Sequence, residues 1–416
     1  MSHFIIKCRQ CGAVLKDSYC AFCEHCRNAL LITQYRDKDF EGEGTGIWRF
    51  KWLPVHAPDF PQPSPVVYRS EGVSARLGLE NLYIAFNGYW PERGALLETC
   101  TFKELEAAVV LQNARENGMQ GLIVASAGNT ARAFAHLSRI SGFPVIIIVP
   151  KMCLGEMWYL ENTRRVPTLA IVDGDYADSI DVARKVASAM SIPFEGGVKN
   201  IAKRDGLGVV MLEAVSRTGR MPDHYFQAVG SGTGAIAAWE MAERFISAGI
   251  GSKLPALHLA QNLPFAPMVK AWNRGGRELS PDDLKTEYIE LVTTRVLSNR
   301  YPAYTVKGGV YDALTQTGGR MYGVRNAEVF EAMDLFEKLE GVDIVPAAGV
   351  AVAALMKAVK NGSIDKGSMV LLNITGGGER NLKMERETKR VDPVFVSKDI
   401  TGEEIGDLIC KVLKPD

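Results

Sequence analysis

Residues 121–130 read Gly-Leu-Ile-Val-Ala-Ser-Ala-Gly-Asn-Thr, and the fold class turns on this stretch. Gly121 to Ala125 is an apolar run long enough for a strand and too short for a helix. It is apolar at every position instead of alternating, as in a parallel sheet covered on both faces. Ser126 to Thr130 is a turn of small polar residues, and Thr130 to Ile140 then places apolar residues at helical spacing. The same rhythm recurs along the chain. Pro144 to Val149 (PVIIIV) and Leu169 to Val172 read as strands, the second leading to a helix over Ala177 to Met190. Tyr225 to Val229 is a strand before Gly230, and Met369 to Ile374 (MVLLNI) is a strand before Gly376. These elements predict an α/β fold with ligand sites where strand carboxyl ends meet helix N-termini.

The bulk numbers set limits on this reading. The chain has 416 residues, 47% hydrophobic and 23% charged, which is ordinary globular composition. Single cores stop growing at roughly 250–300 residues, so two lobes and a small accessory module are expected. Lys plus Arg and Asp plus Glu both count 48, so the formal net charge is zero. Such a balance gives no electrostatic footprint for nucleic acid or an anionic membrane. Met1 to Lys7 runs directly into polar, cysteine-rich sequence, with no secretory signal pattern. The most apolar run, Val145 to Val149, is far short of the roughly 20 residues of a membrane helix. A cytoplasmic protein acting on small molecules is expected. Its eight cysteines then point to metal or reactivity before disulfides.

Five cysteines, Cys8, Cys11, Cys20, Cys23 and Cys26, fall near the start. Cys8-x-x-Cys11 and Cys23-x-x-Cys26 have the two-knuckle spacing of a zinc ribbon, and Cys20-x-x-Cys23 is an alternative second knuckle. Zinc is the expected metal, with an iron–sulfur cluster as the other option, and its role is expected to be structural. The glycines at 42, 44 and 46 and the prolines at 58, 61, 63 and 65 read as a connection to the main body. Three segments are therefore expected: a cysteine-rich module over 1–45, an N-terminal lobe over 46–220 and a C-terminal lobe over 221–416.

Three turns carry the chemical argument. Ser126-Ala127-Gly128-Asn129-Thr130 offers backbone N–H groups and hydroxyls to a carboxylate at a helix start, and is equally a helix N-cap. Gly230-Ser231-Gly232-Thr233-Gly234 has the freedom to cradle a phosphate; a dinucleotide site shares that spacing, while the Gly-Lys-Ser/Thr of a P-loop is absent. Thr375-Gly376-Gly377-Gly378 places a neutral hydroxyl at a strand end. Lys103, in Glu98-Thr99-Cys100-Thr101-Phe102-Lys103, supplies an amine just before the helical pattern of Leu105 to Ala114.

The order Phe-Lys, Ser-x-Gly-Asn-Thr, glycine loop, Thr-Gly-x-Gly resembles the fold-type II pyridoxal-phosphate enzymes, and among them the threonine synthases. The likeness covers nearly the whole chain. With Asn299 to Val324 and Asp343 to Ala351 included, it is most similar to the cysteate synthase family of methanogenic archaea. That family joins O-phospho-L-serine and sulfite into L-cysteate for coenzyme M biosynthesis. The resemblance implies two open, twisted α/β lobes with an N-terminal zinc-ribbon-like segment, and a homo-oligomer. It implies that Lys103 carries pyridoxal 5'-phosphate as a Schiff base and that Asn129 bonds its ring oxygen. Gly230, Ser231, Gly232, Thr233 and Gly234 would hold its phosphate, Thr375 would face the pyridine nitrogen, and Ser126, Asn129 and Thr130 would bind the substrate carboxylate.

Two departures from threonine synthase weigh against O-phosphohomoserine as substrate. Glu104-Leu105-Glu106 follow the lysine where that family has Asp-Arg-Gly, and Thr375-Gly376-Gly377-Gly378 replaces Thr-Gly-His-Gly. Threonine synthase remains the alternative. A non-catalytic zinc-ribbon protein with a decayed enzyme body is the reading from another class, opposed by the intact Lys103, Asn129 and glycine loop. Substrate phosphate and sulfite call for cations, for which Lys151 and Arg204 are the expected residues, with Arg132 and Arg380 behind them.

Overall fold

The apolar runs form strands of two mainly parallel sheets and are buried on both faces. All six residues of Val145–Pro150 and all six of Met369–Ile374 are buried. The computed structural model describes residues 2–15, 22–56, 58, 60–126, 128–160, 166–401, 404–405 and 408. Its larger sheet has six strands in the order Arg320–Val324, Ala256–Asn262, His224–Ala228, Met369–Ile374, Asn81–Phe86, Val66–Arg69. Every pair in it is parallel except the last. The smaller sheet is parallel throughout, in the order Val394–Val396, Thr168–Ile171, Val145–Pro150, Leu122–Ala125.

Neither sheet follows the expected chain segments. Asn81–Phe86 pairs with Met369–Ile374 along its whole length, although it precedes every strand of the smaller sheet in the chain. Val394–Val396 returns to the smaller sheet from the far end of the chain. A division at 46–220 and 221–416 therefore does not describe how the strands are shared. The physical reason is that the apolar surface of Met369–Ile374 is matched by Asn81–Phe86, whose alternation Leu82, Ile84 and Phe86 carries no mark of sheet membership.

Four helices pack on one another in the core. Lys103–Glu116 is buried from Glu104 to Ala114 and packs on Ile201–Thr218 and Asn129–Ser141. Ile201–Thr218 in turn packs on Thr233–Ser247. Gly206 permits the first crossing, since a Cβ there would stand 2.8 Å from the Leu105 carbonyl oxygen. The stretch expected as a connection is part of this core: Ile47, Phe50, Trp52, Leu53, Val55 and Phe60 are all buried in it.

The N-terminal residues form an antiparallel three-stranded sheet, Val14–Leu15, Phe4–Cys8 and Leu31–Tyr35. It is clasped to the body by charge. The Arg9 guanidinium reaches Glu243 at 2.6 Å and stacks on Trp239, its carbon 4.0 Å from the ring centre. Arg244 pairs with Asp205 at 2.7 Å, and Asp205 accepts hydrogen bonds from Thr33 and Tyr35 at 2.6 Å each. Among the described residues no helix is long and apolar enough to cross a membrane.

Candidate active site

The carboxyl ends of the two sheets and the start of Lys103–Glu116 converge on one pocket. Lys103, Ser126, Asn129, Thr130, Gly230, Ser231, Gly232, Thr233, Gly234 and Thr375 all line it. Local chemistry explains why each arrives there. Lys103 opens its helix, and the residues just before it are pinned to the end of strand Met369–Ile374. The Phe102 N–H donates to the Thr375 carbonyl at 3.0 Å, and the Thr101 hydroxyl donates to the same oxygen at 3.2 Å. Gly376 is required for this approach, because a Cβ there would lie 2.6 Å from the Cys100 carbonyl oxygen. Cys100 itself adopts φ +53°, a left-handed conformation that closes the turn before the lysine.

The glycine loop joins strand His224–Ala228 to the helix Thr233–Ser247, so the first N–H groups of that helix face the pocket. Ser231 and Thr233 hydroxyls are 2.8 Å apart beside it. Across the sheet a buried polar chain fixes the floor: Asn87 donates to Asn373, Asn373 to Tyr225, and Tyr225 to Gln227, each at 2.7–2.8 Å. The Ser126 hydroxyl accepts from the N–H groups of Gly128 and Ala131, at 3.0 and 2.8 Å, which is the helix-capping role. Ala127 lies outside the described residues. The Thr130 hydroxyl donates to Glu106 at 3.0 Å, so a carboxylate in this turn would be met by peptide N–H groups and the Ser126 O–H rather than by the Thr130 hydroxyl.

Behind the lysine sits a charged cluster with no local signature in the sequence. Lys103 Nζ is 3.1 Å from Glu106 Oε2, and Lys203 Nζ is 3.2 Å from Glu106 Oε1 and 3.1 Å from Glu195 Oε1. Burial holds the Lys103 ammonium below lysine's usual range, opposed by Glu106. Burial opposes ionisation of Glu106 as well, yet Lys103 and Lys203 together hold its carboxyl below the usual range. Lys203 is held above its ordinary value against burial, by Glu106 and Glu195.

The two cations expected to meet substrate phosphate are not on the pocket. Arg204 lies within the helix Ile201–Thr218, its side chain 1% exposed and 3.0 Å from Glu240. Its other nitrogens donate to the carbonyls of Val198 and Leu31. It is a tie between this helix, the next and the cysteine module, and it does not line the pocket. Lys151 begins the 3-10 helix Lys151–Glu156, is exposed, and directs its ammonium to the Phe395 ring at 5.7 Å. Arg132 is buried against Trp158 and pairs with Glu379 at 3.0 Å, and Arg380 pairs with Glu337 on the surface. A cation that sequence reading passed over is Arg295. It is exposed and makes no ion pair among the described residues. With Cys153, Asp175 and Arg300 it lines a recess that shares Tyr176 and Ser298 with the main pocket. Arg300 is already paired with Asp175 at 2.6 Å.

Cys8, Cys11, Cys23 and Cys26 place their sulfur atoms within 4.8 Å of one another, with Cys11 and Cys23 at 3.7 Å. A tetrahedron with zinc–sulfur bonds of roughly 2.3 Å needs sulfur pairs about 3.8 Å apart, so four thiolates here fit one metal ion. Cys20 and Cys410 lie outside the described residues. Burial pushes the thiols of Cys100 and Cys153 up, Cys153 to about 12, as for packed apolar side chains.

Comparison with known proteins agrees with this geometry. The family described as "Pyridoxal-phosphate dependent enzyme" matches residues 63–376. Cysteate synthase from Methanosarcina barkeri is 46% identical over 415 residues, covering 97% of this chain and 100% of that protein. Cysteate synthase from Methanocella paludicola is 45% identical over 414 residues, covering 97% and 96%. The structure of maize serine racemase superposes with a TM-score of 0.57 at 14% identity, over 77% of this chain and 91% of that one, which shows a common fold.

Proposed function

The chain belongs to the pyridoxal-phosphate dependent enzyme family, and from that membership we propose that it converts O-phospho-L-serine and sulfite to L-cysteate and phosphate. The supporting observation is that a chain similar from end to end to cysteate synthases gathers Lys103, the glycine loop and Thr375 around one pocket. The donor set fits the cofactor. There is an amine for the aldehyde, a glycine turn at a helix N-terminus for the phosphate, and a neutral hydroxyl at a strand end for the ring nitrogen.

Bound through Lys103, pyridoxal phosphate would supply an electron sink for the charge left when the substrate Cα proton is removed. Lys103 takes up that proton on Nζ. The N–H groups at the start of the helix Asn129–Ser141 would hold the substrate carboxylate, and Asn129 and Thr375 would hold the cofactor by its ring oxygen and ring nitrogen, Thr375 without adding a charge there. At the β-carbon the bond to phosphate oxygen breaks with its electron pair, a bond to the sulfite sulfur forms from the sulfur lone pair, and Lys103 returns the proton to Cα. Arg295, the unpaired cation on the adjoining recess, replaces Lys151 and Arg204 as the partner we assign to these anions.

The test is mass spectrometry of the product formed from O-phosphoserine and sulfite, with Lys103→Ala as control. Cysteate and phosphate from the wild type alone support the reading. Threonine from O-phosphohomoserine, with no cysteate, would turn it to the alternative. Cys8, Cys11, Cys23 and Cys26 are proposed to hold a structural zinc ion. We also place the protein in the cytoplasm as a homo-oligomer, following the resemblance.

A further inference from the structure

Glu106 lies one turn beyond Lys103 on the same helix, and its side chain is 0% exposed. Its two oxygens are divided between partners. One faces Lys103 Nζ at 3.1 Å, while the other accepts from the Thr130 hydroxyl at 3.0 Å and faces Lys203 at 3.2 Å. Lys203 reaches on to Glu195 at 3.1 Å, and the side chains of Lys203 and Glu195 are 8% and 2% exposed. Glu106, Glu195 and Lys203 together carry a fixed charge of about −1 in a region of low dielectric, where unpaired charge is costly. With all three ionised, the cluster is neutral when Lys103 carries a proton or an equivalent positive charge; burial raises the Glu195 carboxyl, whose protonation is the other route to neutrality. Tyr176 is the remaining titratable group that faces it, and burial pushes that phenol up to about 12, so it stays neutral.

We propose that Glu106, braced by Lys203 and Thr130, is a positioning residue that sets the proton affinity of the Lys103 amine and holds it at the pocket. The inference rests on Lys103 being the residue that binds the cofactor covalently. A proton leaving the substrate Cα then arrives at an amine whose missing charge the protein has already prepared. Thr130 belongs to both the cluster and the carboxylate-binding turn, its hydroxyl held by Glu106 and its peptide N–H at the start of the helix, so substrate binding and the basicity of Lys103 share one residue.

The test is the pH titration of the visible absorbance of the purified holoenzyme, which reports protonation at the Lys103–cofactor linkage. Glu106→Gln removes a negative charge and lowers the midpoint by about 1–3 pH units, the usual effect of an opposite charge at this distance. Lys203→Met removes a positive charge and raises it. Opposite shifts in two variants of one cluster cannot come from a loosened fold. An unchanged midpoint in Glu106→Gln, or shifts of the same sign in both, overturns the proposal. Cofactor that remains covalently attached to Lys103→Ala after borohydride reduction instead overturns the reading of Lys103 itself.

Discussion

The backbone N–H of Phe102 donates to the carbonyl oxygen of Thr375 at 3.0 Å, so one peptide hydrogen bond holds the neighbour of the lysine to the end of the central strand. The start of the lysine's helix and the end of strand Met369–Ile374 both line the pocket, and this bond joins them. Gly376→Ala would drive a Cβ to 2.6 Å from the Cys100 carbonyl. We expect the variant to lose about 1–3 kcal/mol of stability and most of its turnover, as Thr375 and Lys103 are pushed apart. Urea unfolding and product formation check the two effects.

Arginine substitutions separate structural cations from working ones. Arg204→Ala removes the nearer of the two cations at buried Glu240, leaving only Arg9 at 3.7 Å, so the expected effect is a loss of about 3–5 kcal/mol in stability. The KM of residual folded enzyme for the phosphorylated substrate should be unchanged. Arg295→Ala should do the reverse, raising that KM about tenfold to a hundredfold with an unaltered melting temperature. Steady-state kinetics and thermal melts on both variants decide the matter, and an unchanged KM in Arg295→Ala removes it from the anion site.

The cysteine cluster should bind one zinc ion per chain, measured by elemental analysis. Cys23→Ser removes a buried ligand and should abolish that zinc. Because Arg9, Thr33 and Tyr35 dock this module on the helices that follow, the variant should also unfold at lower temperature. Full metal content in Cys23→Ser would exclude Cys23 as a ligand.

Acid should destabilise the protein well above the carboxylate range. His258 is stacked on Phe226 and hydrogen-bonded to His224 and Tyr322. Burial pushes its imidazole down to about 3, and burial pushes His136 down to about 4. The unfolded chain binds these protons near pH 6.5 and the folded chain does not. Stability is therefore fully present above about pH 6.5 and is lost as the pH falls toward the folded values. His258→Asn should flatten the slope of denaturation midpoint against pH between about 6 and 4. An unchanged slope would show that this histidine is already protonated in the native state.

What could be read in the sequence was what its local chemistry encodes. The strand-to-helix turns at Ser126, Gly230 and Thr375 declare themselves by apolar runs that stop at small residues, and the structure brings those turns and Lys103 together. Helices at 105–114, 130–140 and 177–190 were legible to within a few residues of their observed ends. Arg204 was misplaced because it lies inside a helix whose Gly206 and Gly208 allow close approach to its neighbours, and nothing local in the sequence marks that packing. Glu106, Glu195 and Lys203 stand nearly a hundred residues apart in part, and only the crossing of two helices and a loop makes them one cluster. Strand Asn81–Phe86 was missed for a related reason: its place beside Met369–Ile374 is set by a partner nearly 300 residues away.

The clasp between the N-terminal sheet and the body has a consequence for biosynthesis. Thr33 and Tyr35 emerge from the ribosome long before Asp205 and Arg244, and Arg9 long before Trp239 and Glu243. During that interval the small sheet has four thiols to organise it and no docking surface. The proposed metal ion would thus be its means of holding shape while the rest of the chain is made. Availability of the ion during translation would then govern the yield of native protein, even though the reaction itself never touches it.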